Sequence, residues 1–183
     1  MMSVDDARAY GERVEIEFVE RCTRSGMAAH RFQYGRNRAA RIRVGDVEVI
    51  SPDIGLWDGK SSLHEIKAKY PTSDGYFGLE KYRLDHYEKL MSKAPVFYTI
   101  KVTARGDSGN AAINKWCPAW NDRFVTTNFE KLMDWLTPPE DGPSLVDGII
   151  KTVPIHYWEV ELWEPYIWHP EWSGAAAVTT LVV

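Results

Sequence analysis

The sequence has few of the features that would assign it to a common class of protein. Its 183 residues contain two cysteines, Cys22 and Cys117, which lie far apart and match no metal-ligand spacing. Two such residues cannot form a disulfide framework, so the composition favours a reducing compartment. No apolar run approaches the roughly 20 residues that span a bilayer, and residues 1 to 13 carry acids where a signal peptide would be basic. We therefore expect a cytoplasmic protein with no membrane partner, in the host cytoplasm if it is of phage origin.

The signatures of several enzyme classes are missing as well. The chain has no glycine-rich phosphate loop, no nucleophile elbow and no kinase signature. Its five histidines lack the close pairing that a zinc site uses. These absences argue against phosphate-loop nucleotide hydrolysis, serine-hydrolase chemistry and a zinc centre.

Charge is unevenly distributed along the chain. A net charge of -4 argues mildly against nucleic-acid binding, because a strong binder neutralises phosphates with lysine and arginine. Residues 30 to 43, however, contain five arginines and no acid, whereas acids gather in the first helix and the C-terminal third. This segment predicts a phosphate contact, with a solvated basic loop as the alternative. The five are Arg31, Arg36, Arg38, Arg41 and Arg43.

Hydrophobic periodicity predicts one α/β domain over residues 1–183, with a core at about 5–103 and a Trp-rich C-terminal extension at about 107–183. The elements expected in the core are a helix at 5–25, an extended run at 41–57, a strand at 63–69, a helix at 74–93 and a strand at 94–103. The extension is predicted to contain a short helix at 129–136, a loop at 138–143 and a strand at 156–163. The apolar tail 174–183 is compatible with an edge strand, a partner contact or a disordered end.

One predicted hairpin carries the chemistry. Asp53 lies on its first strand and Glu65 and Lys67 on its second, with a turn signal at residues 58–60 between them. A three-residue turn centred on Gly59 would place Trp57 opposite Ser61 and Asp53 opposite Glu65, with their Cβ atoms about 5 Å apart. Lys67 would share that face, because strand side chains alternate.

Two carboxylates at that separation repel unless a cation lies between them. Aspartate and glutamate oxygens suit Mg²⁺ or Mn²⁺, which can activate a bound water and stabilise charge on a phosphoryl oxygen. A neighbouring ammonium can orient that water. The alternative is a surface hairpin with a solvated Glu-x-Lys pair, but apolar residues on both strand faces favour a covered site, where charges need a purpose.

These residues resemble the PD-(D/E)xK nuclease superfamily. Its signature is a proline-aspartate on one core strand and Glu-x-Lys on the next, matched here by Pro52-Asp53 and Glu65-Ile66-Lys67. A glycine, a glutamate four residues on and a glycine near the helix end resemble archaeal-type Holliday junction resolvases. Gly11, Glu15 and Gly26 match that pattern. The resemblance covers residues 8 to 103.

The resemblance implies a restriction-endonuclease-like core, a mixed sheet of at least four strands flanked by helices. It implies that Asp53 and Glu65 are the principal Mg²⁺ or Mn²⁺ ligands and that Lys67 is the catalytic amine. Glu15 would be a further ligand or hold a metal-bound water, with Glu12 as its competitor.

The same resemblance indicates residues that approach the substrate. In related phage-type exonucleases the helix after Glu-x-Lys often bears a glutamine and a tyrosine near the substrate. Tyr87 occupies a comparable position here, and Arg83 or Lys81 could replace the glutamine. All tryptophans except Trp57 lie beyond residue 115. Core packing is favoured for them over stacking on unpaired bases.

The leading hypothesis is a metal-dependent deoxyribonuclease of recombination, repair or phage DNA processing, with DNA as partner and a possible homodimer. One alternative is a catalytically inactive DNA-binding subunit with a nuclease fold. The other is a structural or interaction protein in which the carboxylates only form an ion pair with Lys67.

Overall fold

The computed structural model describes residues 4–32, 40–104, 106–146 and 149–167. Arg36, Arg38 and the apolar tail 174–183 lie outside these ranges, as do Trp168 and Trp172. Within the described ranges, no helix is both long enough and apolar enough to cross a membrane.

The described residues form four α-helices, one short 3-10 helix and eleven strands. The α-helices are α1 (Val4–Arg24), α2 (Lys81–Met91), α3 (Asp107–Trp116) and α4 (Phe129–Met133), and a short 3-10 helix covers Pro118–Trp120. The strands are β1 (Ala28–Arg31), β2 (Arg41–Val44), β3 (Val47–Ile50), β4 (Ile54–Trp57), β5 (Ser61–Lys69), β6 (Tyr76–Glu80), β7 (Val96–Val102), β8 (Phe124–Asn128), β9 (Glu140–Val146), β10 (Ile149–Glu159) and β11 (Tyr166–Ile167).

A mixed six-stranded sheet forms the centre of the fold, in the order β1-β4-β5-β7-β8-β11. Strands β5 and β7 pair in parallel, whereas their neighbours in this sheet pair antiparallel. A parallel pair needs a crossover, and the chain between these strands supplies it through β6 and α2. The predicted mixed sheet of at least four strands flanked by helices is confirmed.

Helix α1 covers one face of this sheet. Val14, Phe18 and Cys22 are buried at helical spacing and pack with Ile54 and Ile66 from the hairpin strands. The apolar stripe predicted for the first helix is therefore confirmed, and Gly26 follows with φ +83°, a left-handed conformation that ends a helix.

A second core contains most of the buried aromatic residues. Phe77, Tyr98, Trp158 and Trp163 form a cluster of ring contacts with centroids 5.4 to 5.8 Å apart. The expectation that tryptophans fill the core is confirmed for Trp158 and Trp163, which are buried. Outside that cluster, the Trp57 side chain is 56% exposed.

Three predicted elements differ from the structure. The predicted extended run 41–57 is three strands, of which β2 and β3 form a separate hairpin. The helix predicted at 74–93 begins only at Lys81, because Phe77 and Leu79 alternate with less buried residues and lie on β6. The loop predicted at 138–143 is wrong, since β9 begins at Glu140. Strands β6, β10 and β9 form a second sheet, in that order.

Gly75 permits a close contact that a side chain would disrupt. Its φ is +86°, and a Cβ added there would lie 2.8 Å from Trp116 Cδ2. The Trp116 ring is held in place, because its Nε1 donates to the Ser73 carbonyl at 3.1 Å.

We expect Gly75→Ala to lower the free energy of unfolding by more than about 1 kcal/mol, because it combines left-handed strain with a ring clash. Gly11→Ala is the matched control: Gly11 lies in α1 with no neighbour within 4 Å of an added Cβ. That control should instead stabilise the chain by roughly 0.5–1 kcal/mol through helix propensity. Urea denaturation measures both, and equal effects would contradict the account of Gly75.

Candidate active site

The hairpin places its charged residues as the alternation predicted. Strands β4 and β5 pair antiparallel with Trp57 opposite Ser61 and Ile54 opposite His64. Gly59 in the connecting turn has φ +94°, so the predicted turn centred on Gly59 is confirmed. Asp53 directly precedes β4, and its Oδ2 accepts a hydrogen bond from the Ile66 backbone N–H at 2.8 Å. The Asp53 carboxylate is thereby fixed against the middle of β5.

Lys67 joins the two carboxylates of the motif. Its Nζ forms an ion pair with Glu65 Oε1, lies 3.4 Å from Asp53 Oδ2, and donates to the Ile66 carbonyl at 3.2 Å. Glu65 is fully buried, and Asp53 is 9% exposed. The structure thus brings together all three residues of the predicted motif.

Helix α2 supplies two further partners to Glu65. Arg83 Nη1 donates to Glu65 Oε1 at 2.5 Å, and the Tyr87 hydroxyl donates to Oε2. Residues four apart share one face of a helix, so α2 presents both groups to the same carboxylate. The family resemblance placed these two residues near the substrate and not at Glu65, although their spacing of four residues was a signal for a shared partner.

Tyr87 is placed differently from the expectation that it contacts nucleic acid. It is fully buried, so its ring presents no surface to a DNA strand, and we propose that it orients Glu65 instead. Lys81, the alternative to Arg83, pairs with Asp85 at 2.7 Å and both side chains are exposed. The structure therefore brings Arg83, not Lys81, to the carboxylates.

Glu15 approaches the same site from α1. Its Oε2 accepts from Arg31 Nη2 at 2.7 Å and Nε at 3.2 Å. Glu12 lies 3.6 Å from the same guanidinium, but its side chain is 58% exposed where that of Glu15 is 8% exposed. Of the two glutamates considered for the helix role, Glu15 is the one that α1 turns into the protein.

The predicted arginine contacts divide into separate environments. Arg31 directs its guanidinium at Glu15, as described above. Arg41 is 57% exposed and lies 3.7 Å from Glu48, also exposed. Arg43, next on the same face of β2, is exposed too. Of the described arginines in this segment, these last two are therefore open to a phosphate backbone.

The carboxylates differ in how well their charge is compensated. Burial, and then the negative charge of Asp53, raises the pKa of Glu15 to about 7. Burial and the charge of Glu65 likewise raise the pKa of Asp53. Burial would raise the pKa of Glu65 too, but Lys67 and Arg83 hold it below its ordinary value. Negative charge is therefore least compensated between Glu15 and Asp53.

The oxygen atoms at the site are of the kind that a hard divalent cation prefers. Asp53, Glu65 and the Ile66 carbonyl offer oxygen atoms around the Lys67 amine, and such oxygens suit Mg²⁺ or Mn²⁺. Burial and the negative charge of Glu65 raise the pKa of Asp53, and a bound cation would offset that repulsion. Within the described residues, however, no three His, Cys, Asp or Glu side chains are grouped so as to hold a metal ion.

A second, largely buried carboxylate, which the sequence did not predict, lies on the other side of Arg83 from Glu65. Glu80, the last residue of β6, accepts from Ser144 Oγ on β9 at 2.7 Å. Burial opposes its ionisation, but Lys69 and Arg83 outweigh burial and lower the pKa of Glu80 to about 2. Lys69 follows Lys67 on the same face of β5, and that alternation was the available signal.

Comparisons with known proteins add little to this geometry. No protein-family model matches the chain, and no curated protein matches it. Among solved structures it is similar to Hjc, a Holliday junction resolvase from the archaeal hyperthermophile Archaeoglobus fulgidus. The identity is 17%, the match covers 66% of this chain and 78% of that chain, and the TM-score is 0.40. A likeness this weak carries no argument about activity, which depends on the residues themselves.

The raised pKa of Glu15 predicts a pH-dependent stability. An unfolded glutamate loses its proton near 4.5 but the folded one keeps it to about 7, so the free energy of unfolding falls as pH rises between those values. The full effect is about 3 kcal/mol. Urea denaturation from pH 4.5 to 8 in EDTA should show that Glu15→Gln removes this decline.

Glu12→Gln is the matched control, because Glu12 meets the same arginine from an exposed position. It should keep the wild-type pH dependence. A Glu15→Gln profile parallel to that of the wild type would contradict the assignment of the raised pKa to Glu15.

Proposed function

We propose that this chain is a metal-dependent nuclease that hydrolyses DNA phosphodiester bonds. The observation that carries the proposal is the convergence of Asp53, Glu65 and Lys67 from two paired strands, with the Lys67 amine between the carboxylates. Buried carboxylates held next to an amine are costly to stability, and such arrangements cluster at functional sites.

Each residue of the site has a role that follows from its contacts. The Ile66 N–H holds Asp53, so one aspartate oxygen has a fixed direction. Lys67 carries the ammonium that would orient an attacking water and neutralise developing charge on the phosphate. A bound Mg²⁺ or Mn²⁺ would supply Lewis acidity and a more acidic water. Asp53 and Glu65 are the side chains that would hold the metal. Glu15 would be a further ligand or would hold a metal-bound water, because negative charge is least compensated between Glu15 and Asp53.

Exposed arginines would carry the contact with DNA. Arg41 and Arg43 are exposed on β2, and Arg36 and Arg38 lie just before it in the sequence. Arginine contacts to phosphates position a duplex without reading its sequence. The choice of DNA as substrate, the role in recombination, repair or phage DNA processing, and a possible dimer are parts of the proposal supported by the motif resemblance.

One observation favours a second candidate function, a DNA-binding subunit that does not cleave. Glu65 accepts from Lys67, Arg83 and Tyr87 at once. A carboxylate engaged in this way must exchange a partner before it can bind a metal. If it never does, the site would retain only its structural and binding roles.

The proposal is tested with labelled linear, single-stranded and four-way-junction DNA in Mg²⁺, Mn²⁺ or EDTA. We expect cleavage with either metal and none in EDTA. Lys67→Ala should lower the rate about 10²-fold or more, because it removes the group that assists proton transfer and charge neutralisation. Lys60→Ala is the matched control, since Lys60 is an exposed lysine in the turn of the same hairpin.

The outcomes separate the candidate functions. Metal-dependent cleavage that is lost in Lys67→Ala and kept in Lys60→Ala supports the nuclease. Binding of DNA without cleavage in any metal would replace it with the non-cleaving subunit. If the protein neither binds nor cleaves DNA, both proposals fail, and an interaction protein becomes the better account.

A further inference from the structure

Arg83 lies between two carboxylates, that of Glu65, which is fully buried, and that of Glu80, whose side chain is 15% exposed. Its Nη1 donates to Glu65 Oε1 at 2.5 Å, whereas its Nε lies 3.7 Å from Glu80 Oε2. The first contact is a charge-assisted hydrogen bond and the second is too long to be one. Arg83 is therefore committed to Glu65 and only adjacent to Glu80.

The contact with Glu80 is incomplete on both sides. Among the described residues, Arg83 Nε and Glu80 Oε2 are both buried side-chain atoms without a hydrogen-bond partner. Buried donors and acceptors are rarely left unpaired, and an unpaired one needs an explanation. A shift of less than about 1 Å would bring this pair to hydrogen-bond distance.

Glu80 is the better anchored member of the pair. Ser144 Oγ donates to its other oxygen at 2.7 Å, and the residue ends a strand that pairs with β10. Arg83 reaches the site on a long flexible side chain from α2, and about a fifth of that side chain is exposed. Movement between the two carboxylates would therefore be movement of Arg83.

We infer that Arg83 is an exchangeable counter-ion of the metal site. Arg83 neutralises Glu65 while no metal ion is bound, and it moves to a hydrogen bond with Glu80 when Glu65 becomes a metal ligand. This inference rests on the proposed function, because it assumes that a divalent cation binds at Asp53 and Glu65. It makes Glu80, which touches no proposed ligand in the described structure, a positioning residue for metal binding.

The charges of the site give the reason for such a device. Glu65 is fully buried and already has Lys67 and Arg83 as cationic partners. Lys67 and Arg83 would both repel a metal ion bound beside them, so the Arg83 guanidinium has to withdraw. Withdrawal into an apolar core would leave Arg83 unpaired, whereas Glu80 offers it a second, largely buried carboxylate.

The test is calorimetric titration of the DNA-free protein with MnCl₂, beside thermal unfolding and circular dichroism of every variant. Arg83→Gln should tighten Mn²⁺ binding about tenfold, because it removes the competing cation. Glu80→Gln should weaken binding by a similar factor, because Arg83 loses its second acceptor. In the double variant the effect of Glu80→Gln should vanish, since Glu80 acts only through Arg83.

Two charge-matched controls lie on the exposed face of the same helix. Lys81→Gln and Asp85→Asn remove one positive and one negative charge from an exposed ion pair. Both should leave Mn²⁺ affinity unchanged, because exposed charges are screened by solvent.

The results distinguish this inference from the proposed function. Opposite shifts in the two single variants cannot come from misfolding, which would weaken binding in both. Unchanged Mn²⁺ affinity in Arg83→Gln, or a full Glu80→Gln effect in the double variant, would overturn the inference and leave the nuclease proposal standing. If the wild-type protein binds no Mn²⁺ and cleaves no DNA, both are overturned.

Discussion

The burial of an ionised Glu65 is the constraint on which this structure depends. The residue lies on β5, an inner strand of the main sheet, and its side chain is inaccessible to solvent. An unpaired charge at such a position costs several kcal/mol, so the fold must bring partners to it. Lys67 comes from the same strand, and Arg83 and Tyr87 come from helix α2. These contacts add to the apolar packing of α2, which buries Leu84 and Leu90 in the core.

The negative charges of the carboxylates are compensated less on the α1 side of the site than on the α2 side. Glu65 and Glu80 have lowered pKa values because lysine and arginine side chains surround them. Glu15 and Asp53 have raised pKa values, because burial and the repulsion of a neighbouring carboxylate exceed what the nearby cations offer; the repelling neighbour is Asp53 for Glu15 and Glu65 for Asp53. The helix α1 side is thus short of positive charge while the helix α2 side is saturated. A cation would be stabilised most on the α1 side of Glu65.

Local patterns predicted the part of the site that depends on local geometry. Alternation along β5 and the turn at Gly59 suffice to bring Asp53 next to Glu65 and Lys67. Helical spacing in α1 likewise predicted its buried stripe. Periodicity reports which face a residue occupies but not which distant group meets it there. Periodicity therefore indicated neither the contact of Arg83 with Glu65 nor the pairing of β6 with β10, and the family resemblance placed Arg83 near the substrate instead.

The strands after residue 106 contribute directly to the site. Strand β8 extends the main sheet beside β7, and β9 and β10 hold β6 in the second sheet. Through them Ser144 reaches Glu80, and Trp158 packs edge-on against Tyr98, 5.7 Å between ring centroids. Without that second sheet, Glu80 would have no fixed position and Arg83 only one carboxylate to bind. The C-terminal strands thus complete the charge network that the motif on β4 and β5 begins.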